Sequence, residues 1–297
     1  LVQIDTIQPE KKIVKGKDMQ FMPMLENAWL VMEKDTILDY GSMVNINTAP
    51  LADKEIDVKG GLVLPAWCDS HTHLVFSHSR EHEFLDRIHG LSYEEIAKRG
   101  GGILNSAKRL HDCSEEQLYE LAMERLEEVK RLGTGAIEIK SGYGLDTEAE
   151  LKMLRVIRRI KETTSMQVKA TLLAGHAYPL AFRENHEGFL DIIINDMIPR
   201  AAKENLAEYI DVFCEKGFFS VEETDRILEA GVKFGLKPKV HANQLYNSGG
   251  IQVGVKHQAI SVDHLERMDE EEILCLQSST TIATLLPGAA FFLGMHY

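Results

Sequence analysis

Short apolar segments alternate with amphipathic segments from Gly61 onward, and this alternation limits the fold more than any other feature. Seven segments are apolar and often β-branched, as strands buried on both faces should be. Repeated β/α units predict a parallel sheet with right-handed crossovers. The strand candidates are Leu62–Ala66, Ala136–Lys140, Val168–Leu173, Tyr209–Cys214, Pro238–His241, Ala259–Val262 and Thr281–Leu285.

Helix starts are marked between these strand candidates. Ser114 with Gln117, and Ser220 with Glu223, have the spacing of a capping box. Asp146 precedes a third amphipathic segment and can cap it in the same position. We therefore predict helices beginning after residues 114, 146 and 220.

Polar residues favour a barrel over a doubly wound open sheet. They lie at or just after the carboxyl ends of the strand candidates, the end at which barrel enzymes build their sites. The residues are His71, His73, Lys140, His176, Glu215, His241, Asp263 and His264. We predict an α/β fold, a TIM-like (β/α)₈ barrel over residues 61–297. The sequence stops after the seventh strand candidate, so we expect the last strand to be missing from it, with two open edges.

Residues 1–60 have a different pattern. Short β-like segments at Asn27–Glu33, Thr36–Tyr40 and Glu55–Val58 are separated by turns, and no long helical pattern occurs. We predict a small β-rich domain here.

Composition excludes several classes of partner. A net charge of −13 over 297 residues argues against nucleic-acid binding. The four cysteines form no CxxC pair, which is typical of reduced thiols in the cytoplasm. The apolar stretch from Ile282 to Met295 is too short to cross a membrane and contains Pro287. We therefore predict a cytoplasmic protein with neither nucleic-acid nor membrane partners.

A metal site is predicted by three histidines. His71 and His73 are spaced i, i+2 at a strand end, so their rings point to the same side. His241 ends another strand and is the candidate third ligand. Imidazole suits one divalent ion, zinc or iron, and three protein ligands plus water form a catalytic site. The alternative is a set of strand-end histidines with no shared role.

Two further histidines have candidate catalytic roles. His264 follows a strand and can act as general acid/base, with a fourth metal ligand or a structural hydrogen bond as alternatives. His176 follows Gly175 and can donate a hydrogen bond to a substrate carbonyl oxygen, the alternative being an ordinary loop histidine. Metal-activated water with such groups indicates hydrolysis of a C–N bond. These residues alone do not identify the substrate.

Three other residues near the strand ends each have two interpretations. Arg80 can grip a substrate carboxylate, or form a surface ion pair with Glu81 or Glu83. Tyr143 stands between two glycines and is accessible to a ligand, unless the turn merely requires those glycines. Lys140 can bridge two metals if carbamylated, but we favour an ion pair with a nearby acid.

Several segments together resemble the amidohydrolase superfamily and, within it, the imidazolonepropionase family. The superfamily pattern is His71-Thr72-His73 with His241 and His264. The narrower resemblance covers nearly everything from residue 60 onward, in the expected order. Its segments are His71–Phe76, Ser79–Glu81, Gly100–Ile103, Glu138–Leu145, Glu150–Leu154, Val212–Glu215, Asp263–Glu266 and Leu285–Ala289.

The resemblance implies hydrolysis of the ring amide of 4-imidazolone-5-propanoate to N-formimidoyl-L-glutamate, a step of histidine degradation. By the family's pattern, one zinc or iron ion binds to three histidines, four residues contact the small anionic substrate, and His264 assists proton transfer. The resemblance also implies a cytoplasmic homodimer. The metal ligands are His71, His73 and His241, and the substrate contacts are Arg80, Tyr143, His176 and Gln244.

The sequence departs from the family pattern in two places. Some members carry glutamate where this chain has Gln244, which can bind substrate but cannot act as a base. The family also has an aspartate metal ligand at the end of its eighth strand, and nothing in this sequence corresponds to it. Alternative functions are a related hydrolase or deaminase for another cyclic amide or amidine, and a truncated non-catalytic relative.

Overall fold

The computed structural model describes residues 2–3, 14–21, 23–45, 51–91, 95 and 101–295. Gly100, the first residue of one quoted segment, lies outside this part of the chain. The chain divides into two compact units, residues 1–67 and 68–297.

The first unit contains two antiparallel pairs of strands. Strands β1 (Val2–Gln3) and β2 (Met24–Leu25) pair with each other. Strands β3 (Ala28–Glu33) and β4 (Thr36–Ser42) form a hairpin, which confirms the first two β-like segments. The third was wrong, because residues 55–58 are not a strand. Ile56 is 70% exposed there, so this segment has no buried face to favour strand pairing.

The second unit is built on a seven-stranded parallel sheet whose order follows the sequence, from β5 to β11. Sequential order with a helix after nearly every strand is the arrangement of a (β/α) barrel, and it confirms the predicted fold class. The strands are β5 (Trp67–Thr72), β6 (Thr134–Lys140), β7 (Gln167–Gly175), β8 (Tyr209–Cys214), β9 (Lys237–Ala242), β10 (Ser261–His264) and β11 (Ile282–Leu285).

Two strand predictions were displaced. The run Leu62–Ala66 was expected to be a buried strand, but the strand begins only at Trp67, and Leu62 is 52% exposed. Pro65 has no N–H to donate to a ladder, so regular pairing starts after it. The strand expected at Ala259–Val262 lies two residues later, so Asp263 and His264 belong to β10 itself.

Three helices of the second unit begin where their capping residues predicted. Ser114 and Ser220 each form a complete capping box, and the Asp146 side chain accepts from the Ala149 N–H. A π-helical turn, Ile193–Met197, joins the helices His186–Ile192 and Ile198–Lys203. Among the described residues, no helix combines the length and apolar character needed to cross a bilayer.

The helices are α1 (Glu81–Ile88), α2 (Ile103–Asp112), α3 (Glu115–Arg131), α4 (Thr147–Thr163), α5 (His186–Ile192), α6 (Ile198–Lys203), α7 (Val221–Lys233), α8 (Gly250–Lys256), α9 (Glu270–Gln277) and α10 (Pro287–Leu293).

The central strands of the sheet, β6 to β10, are buried on both faces, and the two faces differ in character. Outward residues such as Ile210, Val240 and Val262 are apolar and belong to the main hydrophobic core. The helix cover packs closely, since a Cβ at Gly254 of α8 would lie 2.6 Å from Val262 Cγ1. Inward residues alternate with these and are mostly charged, such as Lys239 on β9. This inner face carries the candidate site.

We expect Ser114→Ala to destabilise the second unit because it removes the acceptor for the Gln117 N–H at the start of α3. An N-cap of this kind contributes about 1 kcal/mol, a thermal midpoint shift of about 2–4 °C for a domain of this size. Calorimetry of the variant measures the shift. The exposed Ser165 precedes a strand and caps no helix, so Ser165→Ala is the control. Equal midpoints for the two variants would contradict the capping role.

Candidate metal centre and active site

Buried charges form the floor of the site on the inner face of the sheet. The Lys140 ammonium donates to Glu138 Oε1 at 2.7 Å and to Asp211 Oδ2 at 2.8 Å, and it lies 3.7 Å from Asp263 Oδ2. Lys239 Nζ lies 3.4 Å from the same Asp263 oxygen. These five residues come from β6, β8, β9 and β10, and their inward positions follow from the two-residue period of each strand. The ion pair that we favoured for Lys140 is therefore present.

The opposite charges of Lys140 and Asp211 stabilise each other in the ionised form. Burial alone lowers the pKa of Lys140, but the carboxylates of Asp211, Glu138 and Asp263 raise it above its ordinary value. Burial raises the pKa of Asp211, yet His241 and Lys140 hold it well below the ordinary range. The network therefore presents ionised carboxylates to the layer of histidines next to it.

Two histidines rest on these carboxylates. His71 Nδ1 donates to Asp263 Oδ2 at 2.7 Å, and His241 Nδ1 lies 3.0 Å from Asp211 Oδ2. An ionised carboxylate can only accept a hydrogen bond, so His71 Nδ1 carries the proton and His71 Nε2 keeps its lone pair. This is the arrangement that orients a metal-binding histidine and increases its basicity.

The histidine rings converge as a metal site requires. One nitrogen from each of His71, His241 and His264 lies within 4.8 Å of the others. The Nε2 atoms of His73 and His241 are 3.4 Å apart, close to the separation of about 3.3 Å between two nitrogens on a tetrahedral ion with bonds of about 2.05 Å.

The protonation and hydrogen bonding of these rings also fit a metal ion. His71 Nε2 is buried without a hydrogen-bond partner among the described residues. Burial lowers the pKa of His71 and His73 well below the ordinary value, so both rings are neutral and can bind a metal. The structure thus groups His71 and His241 with His264, and it places His73 against His241, so the choice of His73 rather than His264 as the third ligand stays a prediction.

His264 has an unusual backbone conformation. Its φ of 91° and the φ of 65° at Leu265 lie in the left-handed region, which side chains with a Cβ rarely adopt. The Leu265 N–H donates to Ala242 O at 3.1 Å, which helps to hold this turn. His264 Nδ1 lies 3.7 Å from Glu266 Oε1, a carboxylate whose side chain is only 3% exposed. Backbone strain of this kind concentrates at functional sites.

His176 has a fixed proton position. Its Nδ1 donates to the backbone carbonyl of Gly142 at 2.8 Å, and its ring stacks on His73 with centroids 5.2 Å apart. Burial lowers the pKa of His176 to about 3. A neutral ring with the proton on Nδ1 presents Nε2 as an acceptor, so the expected donation to a carbonyl oxygen would need a second proton.

Tyr143 and Arg80 also lie beside the histidines. The Tyr143 ring is 5.5 Å from the His73 ring and 5.4 Å from the His176 ring, centroid to centroid. Arg80 is close enough to influence the pKa of both Tyr143 and His176 electrostatically. Its guanidinium is 35% exposed and lies 3.6 Å from Glu83, so the ion pair considered from sequence is present. A partly exposed cation at the edge of the site remains accessible to an anionic ligand.

Gln244 lies in the loop after β9 and is half-buried. The loop is fixed by Glu215 Oε2, which accepts from the N–H groups of Leu245 at 2.9 Å and Tyr246 at 3.4 Å. Glu215, predicted from sequence only as a polar strand-end residue, therefore supports the backbone that carries Gln244.

Sequence reasoning missed the residues beneath the histidines. Glu138, Asp211 and Lys239 had no assigned role, although the first two accept hydrogen bonds from Lys140 and Lys239 lies beside Asp263. A signal was present, because Glu138-Ile139-Lys140 alternates charged and apolar residues within a segment otherwise read as buried on both faces. A charge every second residue in a buried strand indicates a polar inner face.

Curated relatives resemble most of this chain. It is 53% identical over 284 residues to a protein named imidazolonepropionase from Christiangramia forsetii, and the match covers 96% of this chain and 69% of that relative. It is 55% identical over 284 residues to a protein of the same name from Flavobacterium johnsoniae, with the same coverage. No family model matches the chain.

Solved structures share the fold at low identity. A 5-methylcytosine deaminase from Klebsiella pneumoniae, liganded with 5-fluorocytosine, has a TM-score of 0.68 at 14% identity. The match covers 89% of this chain and 63% of that one. A guanine deaminase from C. acetobutylicum with bound guanine has a TM-score of 0.61 at 14% identity, covering 95% of this chain and 67% of that one. These likenesses concern the fold alone.

We expect His71→Ala to weaken divalent-metal binding because it removes a candidate ligand whose Nε2 has no other partner among the described residues. The loss should exceed the roughly 10–100-fold cost of deleting an outer hydrogen-bond partner of a metal ligand. Chelator competition with zinc, followed by elemental analysis, measures it. His78 is exposed and lies outside the cluster, so His78→Ala is the matched control. Unchanged zinc affinity in His71→Ala would contradict the assignment.

Proposed function

Because this chain belongs to the imidazolonepropionase family of hydrolases, within the amidohydrolase superfamily, we propose that it opens the ring amide of 4-imidazolone-5-propanoate. The product is N-formimidoyl-L-glutamate, and the reaction is a step of histidine degradation. One observation supports the proposal: in a chain about half identical to its relatives, five histidines and Tyr143 from five different strands and loops lie close to one another. These histidines are His71, His73, His176, His241 and His264.

His71, His73 and His241 would hold one divalent ion, zinc or iron, and the carboxylates of Asp263 and Asp211 orient two of these rings. Such an ion supplies Lewis acidity and lowers the pKa of a bound water. Side chains of the protein carry the proton transfer and bind the substrate.

His264 is the proposed proton carrier. Ring opening adds the oxygen of water to the carbonyl carbon, breaks the C–N bond and places a proton on the departing nitrogen. His264 lies in the histidine cluster, so it can take a proton from the attacking water and return it to that nitrogen. Glu266, next to Nδ1, can stabilise the protonated ring. Gln244 cannot replace His264 in this role, since an amide does not take up a proton at neutral pH.

Arg80, Tyr143, His176 and Gln244 would bind the substrate. Arg80 would pair with the propanoate carboxylate, which is the group that a guanidinium fork recognises. His176 presents Nε2 as an acceptor, a match for an N–H of the imidazolone ring. The Tyr143 ring lies about equally far from the His73 and His176 rings, so it can line the same substrate site.

The setting of the enzyme is part of the proposal. The resemblance to the family supports a homodimer in the cytoplasm. The free cysteines Cys68, Cys113, Cys214 and Cys275 fit a reducing compartment. A net charge of −13 supports a small-molecule enzyme rather than a nucleic-acid binder. We likewise propose no membrane partner.

The direct test is turnover by the full-length, metal-loaded gene product. We expect loss of the imidazolone absorbance with formation of N-formimidoyl-L-glutamate, identified by mass spectrometry. His264→Asn should lower kcat by about 10²–10⁴-fold, the usual contribution of general acid/base catalysis. Absence of turnover by a protein with a full complement of metal would overturn the proposal.

We expect Arg80→Met to raise KM for imidazolone propanoate because it removes the partner of the substrate carboxylate. A lost charge-assisted contact of about 1.5–3 kcal/mol corresponds to roughly 10–100-fold in KM. Steady-state kinetics measure the effect, with the exposed Arg131→Met as control. An Arg80→Met enzyme with the wild-type KM would favour a neutral cyclic amide or amidine as substrate.

A further inference from the structure

A buried glutamate holds the loop between β6 and α4. Glu150 is 1% exposed, and its carboxylate accepts three backbone hydrogen bonds from this loop. Oε2 accepts from the Gly142 N–H at 2.7 Å, while Oε1 accepts from Gly144 at 2.6 Å and Leu145 at 3.0 Å. Glu150 thus bonds to the backbone on both sides of Tyr143.

These contacts are not needed to begin the helix. The Asp146 side chain already caps α4 by accepting from the Ala149 N–H at 2.8 Å. Glu150 lies one residue further along and directs both oxygens back to the loop rather than to the helix. A buried carboxylate that accepts several N–H groups is a strong and directional constraint. Its contacts therefore fix the loop.

The loop also has no room for a side chain at residues 142 and 144. Gly142 has a φ of 106°, and a Cβ there would lie 2.9 Å from His176 Nδ1. A Cβ at Gly144 would lie 2.4 Å from the Glu150 nitrogen. Both residues must be glycine, which makes the loop intrinsically flexible unless something outside it restrains it.

The restrained loop controls two groups at the site. The Gly142 N–H donates to Glu150, and the Gly142 carbonyl accepts from His176 Nδ1. Tyr143 lies in the middle of the same loop, with its ring against His73 and His176. A shift of this loop would therefore move Tyr143. It would also remove the Gly142 carbonyl that keeps the His176 proton on Nδ1.

We propose that Glu150 is a positioning residue for substrate binding, which fixes the Tyr143 side chain and the His176 tautomer through the backbone of residues 142–145. This inference rests on the proposed function for its substrate. It assigns Glu150 no contact with the substrate itself.

Glu215 provides a matched comparison. It is also a buried glutamate, 2% exposed, and accepts backbone N–H groups from the loop that carries Gln244. Glu150 and Glu215 therefore hold different loops by the same kind of contact. If each acts through its own loop, each should couple energetically to the substrate residue on that loop and not to the other.

The experiment is a pair of double-mutant cycles on the full-length, zinc-loaded enzyme. Glu150→Gln keeps the shape of the side chain but replaces one acceptor oxygen by an NH₂ group that cannot accept. We expect it to raise KM about tenfold or more with unchanged zinc content, since small misplacement of binding groups is costly. In the Tyr143→Phe background the same change should raise KM by a clearly smaller factor, because the part of its effect that acts through Tyr143 is already absent and only the part through His176 remains.

The controls determine whether the effect is specific. The fold-increases in KM caused by Glu150→Gln and Gln244→Ala should simply multiply in the double variant. Those caused by Glu215→Gln and Gln244→Ala should not, because the two residues are coupled. If the effects of Glu150→Gln and Tyr143→Phe on KM simply multiply in the double variant, the proposal is overturned and Glu150 is a structural residue only. If Glu150→Gln does not fold, Glu150→Asp keeps the charge, shortens the reach and serves in the same cycles with the same criteria.

A second readout does not depend on the substrate. Long-range ¹H–¹⁵N spectra of histidine-labelled, zinc-loaded protein report the tautomer of His176, assigned with His176→Gln. We expect the Nδ1–H form in the wild type and its loss in Glu150→Gln but not in Glu215→Gln. If the tautomer changes in this way but the protein does not open imidazolone propanoate, Glu150 remains a positioning residue and the proposed function is refuted. An unchanged tautomer in an active enzyme would refute the role of Glu150.

Discussion

The buried ammonium of Lys140 is the contact on which the site depends. It bonds to Glu138 and Asp211 and lies near Asp263, and the two aspartates in turn hold His241 and His71. Removing one partner from a buried ion pair costs about 3–5 kcal/mol, because a charge is left without compensation in a medium of low polarity. The lysine therefore keeps the aspartates ionised, and the ionised Asp263 holds the proton of His71 on Nδ1, which leaves His71 Nε2 free.

The fold could be predicted largely because hydrophobic periodicity and capping are local signals. Tyr209–Cys214 was predicted with its observed bounds, and Ser114 and Ser220 cap helices as their spacing indicated. The error at Leu62–Ala66 has an equally physical origin. An apolar run indicates where burial would be favourable, but Pro65 decides where the ladder can begin.

The site could be predicted only in its first layer. The residue type of His71 and His241 already indicates a metal site. Asp211 and Glu150 have no such signal in the sequence, because their roles depend on a ring nitrogen and a backbone amide that only the fold brings to them. Their partners are set by tertiary contacts, which no local pattern encodes. The tautomer of His176 likewise depends on the Gly142 carbonyl, and therefore on a loop whose conformation was not predictable from its two glycines.

The charged inner face has a consequence for how the sheet assembles. Glu138, Lys140, Asp211, Lys239 and Asp263 lie on strands far apart in sequence, so a sheet lacking one of them would bury a cation or an anion without its partner. A slip of one residue between neighbouring strands would also turn these charges toward the apolar helices. The same network that prepares the histidines therefore penalises partial and misregistered sheets, and it makes folding of the barrel cooperative.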